Sequence, residues 1–324
     1  MFFMFRIGLW LMVAAPLCAD VEFVRTSLVP SRLRLVREHQ LPMAIHGYTQ
    51  SSMSGDSMCC AARTGTSVII FSTMTGEKMI ELETGGDIHD GAFSYDGTQY
   101  CTAHNDGTIK TWDIRTGKET AKFHTGSGFS CAVCFTRDGR TIVADNGERT
   151  GLILYNIPDK KEQRRVGGSG SSYTYVSNDG RYAVASVGVV RIIDLKEDRV
   201  VKEILPRSVI KAALSPDSRA CVAGDSVGRL VKWSLATGEE LASLKMEAGR
   251  ANWLDYSPDG RWIAVSDAAG SVMIVDAQKF SVSHTVDLKS DPATEGAFLV
   301  GFTKKGDALV VISSSGKIRI FSSR

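Results

Sequence analysis

The chain has 324 residues, 43% of them apolar and 23% charged, with 38 basic against 36 acidic side chains. This near-neutral balance is that of a folded globular protein and carries no electrostatic footprint for nucleic acid. Eight prolines and no long low-complexity run argue against a disordered tail or a flexible interdomain linker.

The N-terminus differs from everything after it. Met1 to Leu17 carries one charge, Arg6, followed by an apolar run from Ile7 to Ala15, and Leu17-Cys18-Ala19 offers a small-residue cleavage site before Asp20. The run is too short for a membrane span, so residues 1–19 read as a secretory signal peptide, with an uncleaved anchor as the rival reading. A lipid-modified Cys18 fits less well, because Leu17 is not small. The expectation is a secreted or periplasmic protein whose residues 20–324 form one domain. Cleavage leaves six cysteines: Cys59, Cys60, Cys101, Cys131, Cys134 and Cys221. An even count in an exported protein invites disulfides. Their mid-strand positions instead predict small buried hydrophobes, with a Cys60–Cys101 bridge as the minority reading.

Next comes Arg32 to His39, which alternates with period two, and then a pattern recurs seven times. Its turn anchors are Gly55-Asp56, Asp96-Gly97, Asp138-Gly139, Asp179-Gly180, Asp217-Ser218, Asp259-Gly260 and Lys305-Gly306, spaced by 41, 42, 41, 38, 42 and 46 positions. After each stands a bulky residue with a small or polar one: Phe71-Ser72, Trp112-Asp113, Tyr155-Asn156, Ile193-Asp194, Trp233-Ser234, Val275-Asp276 and Phe321-Ser322. The interval is 15 in five copies, 16 in the third and 13 in the fourth. A period near forty means one supersecondary unit stacked repeatedly. Within the copy from 87 to 123, Asp96-Gly97 and Asn105-Asp106-Gly107 mark hairpin turns and Arg115-Thr116-Gly117-Lys118 a third, dividing four strands. The outermost is polar, as an exposed edge should be.

The Asp-Gly turns, Ser215-Pro216-Asp217, Ser257-Pro258-Asp259 and Trp112-Asp113 resemble the WD-repeat β-propellers over roughly Arg32 to Arg324, in the manner of divergent bacterial members. The resemblance implies an all-β fold, a seven-bladed propeller of four-stranded antiparallel blades. The last copy runs out after three strands, so the segment from Arg32 to His39 is expected to complete it and close the ring. The family's Gly-His pair would fall near Glu83-Thr84, so its hydrogen-bonded Asp–His network is expected to be absent.

In such a ring the connections between blades and the second-to-third strand turns share one face. The connections supply His46, His89, Asp90, Phe129, Tyr173, Arg207, Arg250, Trp253 and Asp291, and the turns supply Arg63, His104, Asp106, Asp145, Arg149, Asp225, Arg229 and Asp267. A surface mixing aromatics, Arg and Asp suits a protein or peptide partner. The partner-binding candidates are His46, His89, Phe129, Tyr173, Arg207, Arg250 and Trp253.

Catalytic motifs are missing. The run from Gly167 to Ser172 lacks the Lys and helix of a phosphate loop, and Gly126-Ser127-Gly128 lacks the context of a nucleophile elbow. His46, His89, His104 and His124, with Asp87, Asp90 and Asp106, have ligand chemistry for zinc but no ligand spacing. No metal or cofactor is expected. The reading is a non-catalytic scaffold, with a lactonase-like or metal-dependent propeller enzyme as the alternative.

Overall fold

A computed structural model describes residues 28–43, 51–64, 66–126, 132–145, 151–166, 173–187, 189–204, 212–225, 227–247, 249–267, 270–288 and 297–323. They form seven four-stranded antiparallel sheets arranged as the blades of a propeller. Six blades are consecutive meanders. Blade two, for example, runs Ile88–Phe93, Gln99–His104, Thr108–Asp113 and Glu119–His124 from the innermost strand outward. Seven apolar clusters fill the seven junctions, one between each pair of adjacent blades. Second and third strands are therefore apolar on both faces, as in Trp262–Asp267 and Ser271–Asp276.

The turn after each inner strand is built by one local device. A Ser or Thr hydroxyl donates to the Asp two residues on: Ser54 to Asp56, Ser94 to Asp96, Thr136 to Asp138, Ser177 to Asp179, Ser215 to Asp217 and Ser257 to Asp259, all at 2.6–2.7 Å. The same hydroxyl accepts the N–H that starts the second strand, as Ser94 does from Gln99 at 2.9 Å. The Asp accepts a second N–H, as Asp96 does from Thr98 at 3.1 Å. These bonds hold the Asp96 and Asp138 carboxyls below the ordinary range against a burial that pushes the other way. The residue after the Asp takes a positive φ: Gly97 at 69°, Gly139 at 67°, Gly180 at 71° and Gly260 at 71°. Blade seven varies the order, with Thr303 donating to Asp307, beyond Gly306, at 2.8 Å.

This geometry corrects the first anchor. Ser57, with φ 56°, occupies the place of Gly97, so blade one turns on Asp56-Ser57 rather than Gly55-Asp56. A one-residue shift reverses the face of every side chain on a strand. Ala61, not Cys60, is the counterpart of Cys101. Cys60 faces blade seven, among Leu299 and Val310, whereas Cys101 faces blade three, among Val133 and Ile142. A Cys60–Cys101 bridge is excluded by that separation. Cys59, Cys60, Cys101, Cys134 and Cys221 are free thiols, and burial raises their pKa values, that of Cys59 to about 11, so they stay protonated. Cys131 lies outside the described residues.

The bulky residue of each repeat also has a structural reason. Opposite Phe71, Trp112, Tyr155, Ile193, Trp233, Val275 and Phe321 the outer strand carries a bulge in all seven blades. Bulges twist an exposed edge out of the flat geometry that recruits another strand. The Thr-Gly turns seat blade on blade. At Gly117, φ 69°, an added Cβ would lie 2.9 Å from Ile80 Cδ1 of blade one, and at Gly76, φ 73°, it would lie 2.8 Å from His39 Cβ.

The ring closes as expected. Arg34–Gln40 pairs antiparallel with Lys317–Ser322 to complete blade seven. Glu38 bridges Arg319 at 2.8 Å, and Arg37 donates to the Met74 carbonyl of blade one at 3.1 Å. Gly117→Ala is expected to destabilise the fold by about 1–3 kcal/mol through its backbone conformation and the Ile80 contact, as measured by urea unfolding. Ser94→Ala, which removes the hub of one turn, is expected to cost about 1–2 kcal/mol in the same assay.

Candidate functional site

Each inner strand starts at a between-blade connection and ends at a Ser/Thr–Asp turn. The connections and the second-to-third strand turns therefore share one face. His46, Phe129 and Arg207 lie outside the described residues, as do residues 1–27, Arg149 and Asp291. Tyr173 opens the inner strand Tyr173–Val176 of blade four. His89 is half-buried on the inner strand of blade two, and Arg250 is exposed immediately before Ala251–Tyr256. Trp253, three residues further, is half-buried and packs against the clusters on both sides of blade seven. Its bulk serves a blade junction as well as the rim of the face.

The residues assigned to the second-to-third turns are mostly inside the protein. Arg63, His104, Asp145, Asp225 and Asp267 are all buried, and only Asp106 and Arg229 of the described set are exposed. They build turns: Asp225 accepts N–H groups of Val227 and Arg229 at 3.1 and 2.7 Å, and Asp267 accepts that of Ser271 at 2.9 Å. Asp106 accepts the N–H of Thr108 at 2.8 Å. An acidic residue at a strand end is needed there to satisfy backbone donors, so this set does not form an exposed binding surface.

Blade two does hold a histidine network, by a route the Gly-His spacing does not reveal. Trp112 Nε1 donates to Thr102 Oγ1 at 3.1 Å, and Thr102 Oγ1 bonds His104 Nε2 at 2.9 Å. The histidine comes from the second strand itself, and alternation puts Thr102 and His104 on one side of it. Burial, then Lys110, holds the His104 imidazole below its ordinary range, against Asp106 and backbone contacts with Gly86 and Asp87. It is a structural, neutral histidine. His124 is engaged elsewhere, its Nδ1 accepting the Gly126 N–H at 3.0 Å. Among the described residues no three His, Cys, Asp or Glu side chains gather as metal ligands.

Two inner-strand carboxylates satisfy open-edge donors of the next blade. Asp90 Oδ2 accepts the Val133 N–H of blade three at 3.0 Å, with Arg63 of blade one 3.9 Å away. Asp255 Oδ2 accepts the Phe302 N–H of blade seven at 2.8 Å. Inner strands have no sheet partner on the channel side, so these bonds fill part of a real deficit.

The repeated blade, its Asp-anchored turns and its strand-completed last sheet define a seven-bladed β-propeller of repeat type. Residues 77–113, from the outer turn of blade one to the third strand of blade two, match the WD domain, G-beta repeat. The chain is 23% identical over 212 residues to the serine-threonine kinase receptor-associated protein of Gallus gallus, a match covering 63% of this chain and 59% of the relative. It is 28% identical over 181 residues to autophagy-related protein 16 of Arabidopsis thaliana, covering 53% and 35% respectively. A WD repeat-containing protein of Schizosaccharomyces pombe is 26% identical over 202 residues, covering 58% and 32%. The chain thus spans between about a third and three fifths of these relatives' length. These likenesses support a WD-repeat family for the chain. No described helix is long and apolar enough to cross a membrane.

Thr102→Val leaves both Trp112 Nε1 and His104 Nε2 without their partner. It is expected to lower unfolding free energy by about 1–3 kcal/mol, with Thr102→Ser largely restoring it. The unfolded imidazole has the higher proton affinity, so stability from a neutral His104 is present above about pH 6.5 and lost as pH falls. His104→Gln should flatten that slope in thermal melts from pH 7.5 to 5.

Proposed function

We propose that this protein is an exported, non-catalytic propeller that holds a protein or peptide partner on the face carrying the between-blade connections. The observations that carry the reading are exposed Arg250, on the connection that enters blade six, and half-buried Trp253 three residues later on the inner strand. Arg on a rigid support beside an aromatic is the side-chain chemistry that dominates interface energetics. His46, His89, Phe129, Tyr173 and Arg207 belong to the same set of connections by sequence. One relative is called receptor-associated, and WD-repeat propellers are generally protein-interaction scaffolds. The carboxylates of the inner strands are spent on backbone donors rather than converging on a reaction centre, which speaks for the scaffold over the enzyme.

Export rests on the charge-poor apolar segment before Asp20. Expression in a secreting bacterial host is expected to give a protein in the envelope or medium whose N-terminal residue is Asp20. A cytoplasmic product starting at Met1 would sink the export reading. Affinity capture from the native envelope fraction is expected to recover a specific protein whose binding falls at least tenfold with Arg250→Glu. Arg250 is the appropriate probe because its side chain is exposed, whereas Trp253→Ala would also disturb two cores. Binding indifferent to Arg250→Glu would overturn the assignment of this face.

A further inference from the structure

The chain enters the propeller on the face of the Ser/Thr–Asp turns, opposite the between-blade connections. Leu28 N–H donates to the Gly306 carbonyl at 3.0 Å, which sets the first described residues against the Lys304-Lys305-Gly306 turn of blade seven. Arg32 and Arg34 follow along the same edge, Arg34 lying opposite Ser322 at the turn end of the third strand. Lys304, Lys305, Arg32, Arg34 and Arg261 of blade six are all exposed. The turns that carry them are packed together. A Cβ at Gly306 would lie 3.5 Å from Pro258 Cδ of blade six, and Lys304 N–H donates to the Asp56 carbonyl of blade one at 3.1 Å.

The acidic side chains of these turns are engaged by the turns themselves. Asp259 accepts the Ser257 hydroxyl at 2.6 Å and the Arg261 N–H at 3.1 Å. Asp307 accepts the Thr303 hydroxyl at 2.8 Å, and Asp56 accepts that of Ser54 at 2.6 Å. Long Lys and Arg side chains reach past these short carboxylates, so the outermost charge is positive. The position of Arg261 is also basic in blades three, four and five, where Arg140, Arg181 and Arg219 are exposed, Arg181 pairing with Asp194 at 3.1 Å. Two apolar side chains flank the lysines: Val29 is 42% exposed, and Met58, in the blade-one turn, is 40% exposed.

Exposed cations beside exposed apolar side chains match a phospholipid surface, whose phosphates take the charge and whose acyl boundary takes the apolar groups. The charges alone would suit an acidic polypeptide equally; the place of chain entry decides between them. Twelve residues, 16–27, separate the apolar run ending at Ala15 from Leu28, a reach of about 40 Å when extended. On the export reading, this face is therefore the one nearest the membrane as the propeller emerges. We propose that the turn face around blades six and seven docks on an anionic phospholipid surface and directs the between-blade connections away from it.

Nearness to the membrane rests on the export reading, whereas vesicle binding by protein beginning at Asp20 does not, so the two fail separately. In flotation assays that protein is expected to bind phosphatidylglycerol–phosphatidylcholine vesicles about tenfold better than phosphatidylcholine alone, and less as salt rises. The double variant Lys304→Glu with Lys305→Glu should lose the preference. Lys245→Glu, a matched change at an exposed site on the opposite face, should keep it. Wild-type protein with no preference for the anionic vesicles would overturn the proposal, and this arm needs no variant. An equal loss in Lys245→Glu would overturn it too, by making the effect one of total charge. Binding to immobilised polyglutamate without vesicle preference would assign the face to an acidic polypeptide instead.

Discussion

The structure depends on one short-range interaction, the bond from a Ser or Thr hydroxyl to an Asp carboxylate two residues later. It satisfies the backbone donors of a tight turn, fixes the residue after the Asp at positive φ and sets the register of the first two strands. Register then decides which side chains face which neighbouring blade. Seven junction cores follow from six repetitions of this local choice and its Thr303–Asp307 variant in blade seven. Because the turn needs only its own residues, each blade can begin to order before its neighbours supply any contact.

Much of the fold was legible for that reason. Turn chemistry and alternation are local signals, so the blades and the completing segment could be placed from the chain alone, the latter at Arg32 to His39 against the observed strand Arg34–Gln40. The first anchor was misplaced because Gly55 draws attention as the turn residue, while Ser57 adopts the left-handed conformation. Ser54, two before Asp56, was the more reliable guide, as the other blades show. The Thr102–His104–Trp112 network stayed hidden for a related reason. Its histidine comes from the second strand and not from a Gly-His pair, and only the pleat brings the three groups together.

The loop face was less legible. A polar residue after a strand reads as exposed, yet Asp145, Asp225 and Asp267 are buried, the last two serving backbone donors. Sequence distinguishes poorly between an Asp that meets solvent and one that meets its own main chain, since both occupy turns. Arg250 escapes the ambiguity because its length and charge keep it outside, and the structure shows it exposed. Trp253 is divided between rim and core, which neither its type nor its position foretold.

The strand pairing that completes blade seven also gives the molecule a mechanical polarity. Arg34 lies opposite Ser322, so the start of one strand and the finish of the other are side by side, and Val29 N–H bonds Ser323 Oγ at 3.1 Å just beyond. A pull that separates these two flanks loads the backbone bonds one after another, as a zipper opens, rather than all at once in shear. The same strand that removes a free seam at equilibrium is thus the place where tension would first part the ring. A tether on one flank alone leaves that pairing unstrained.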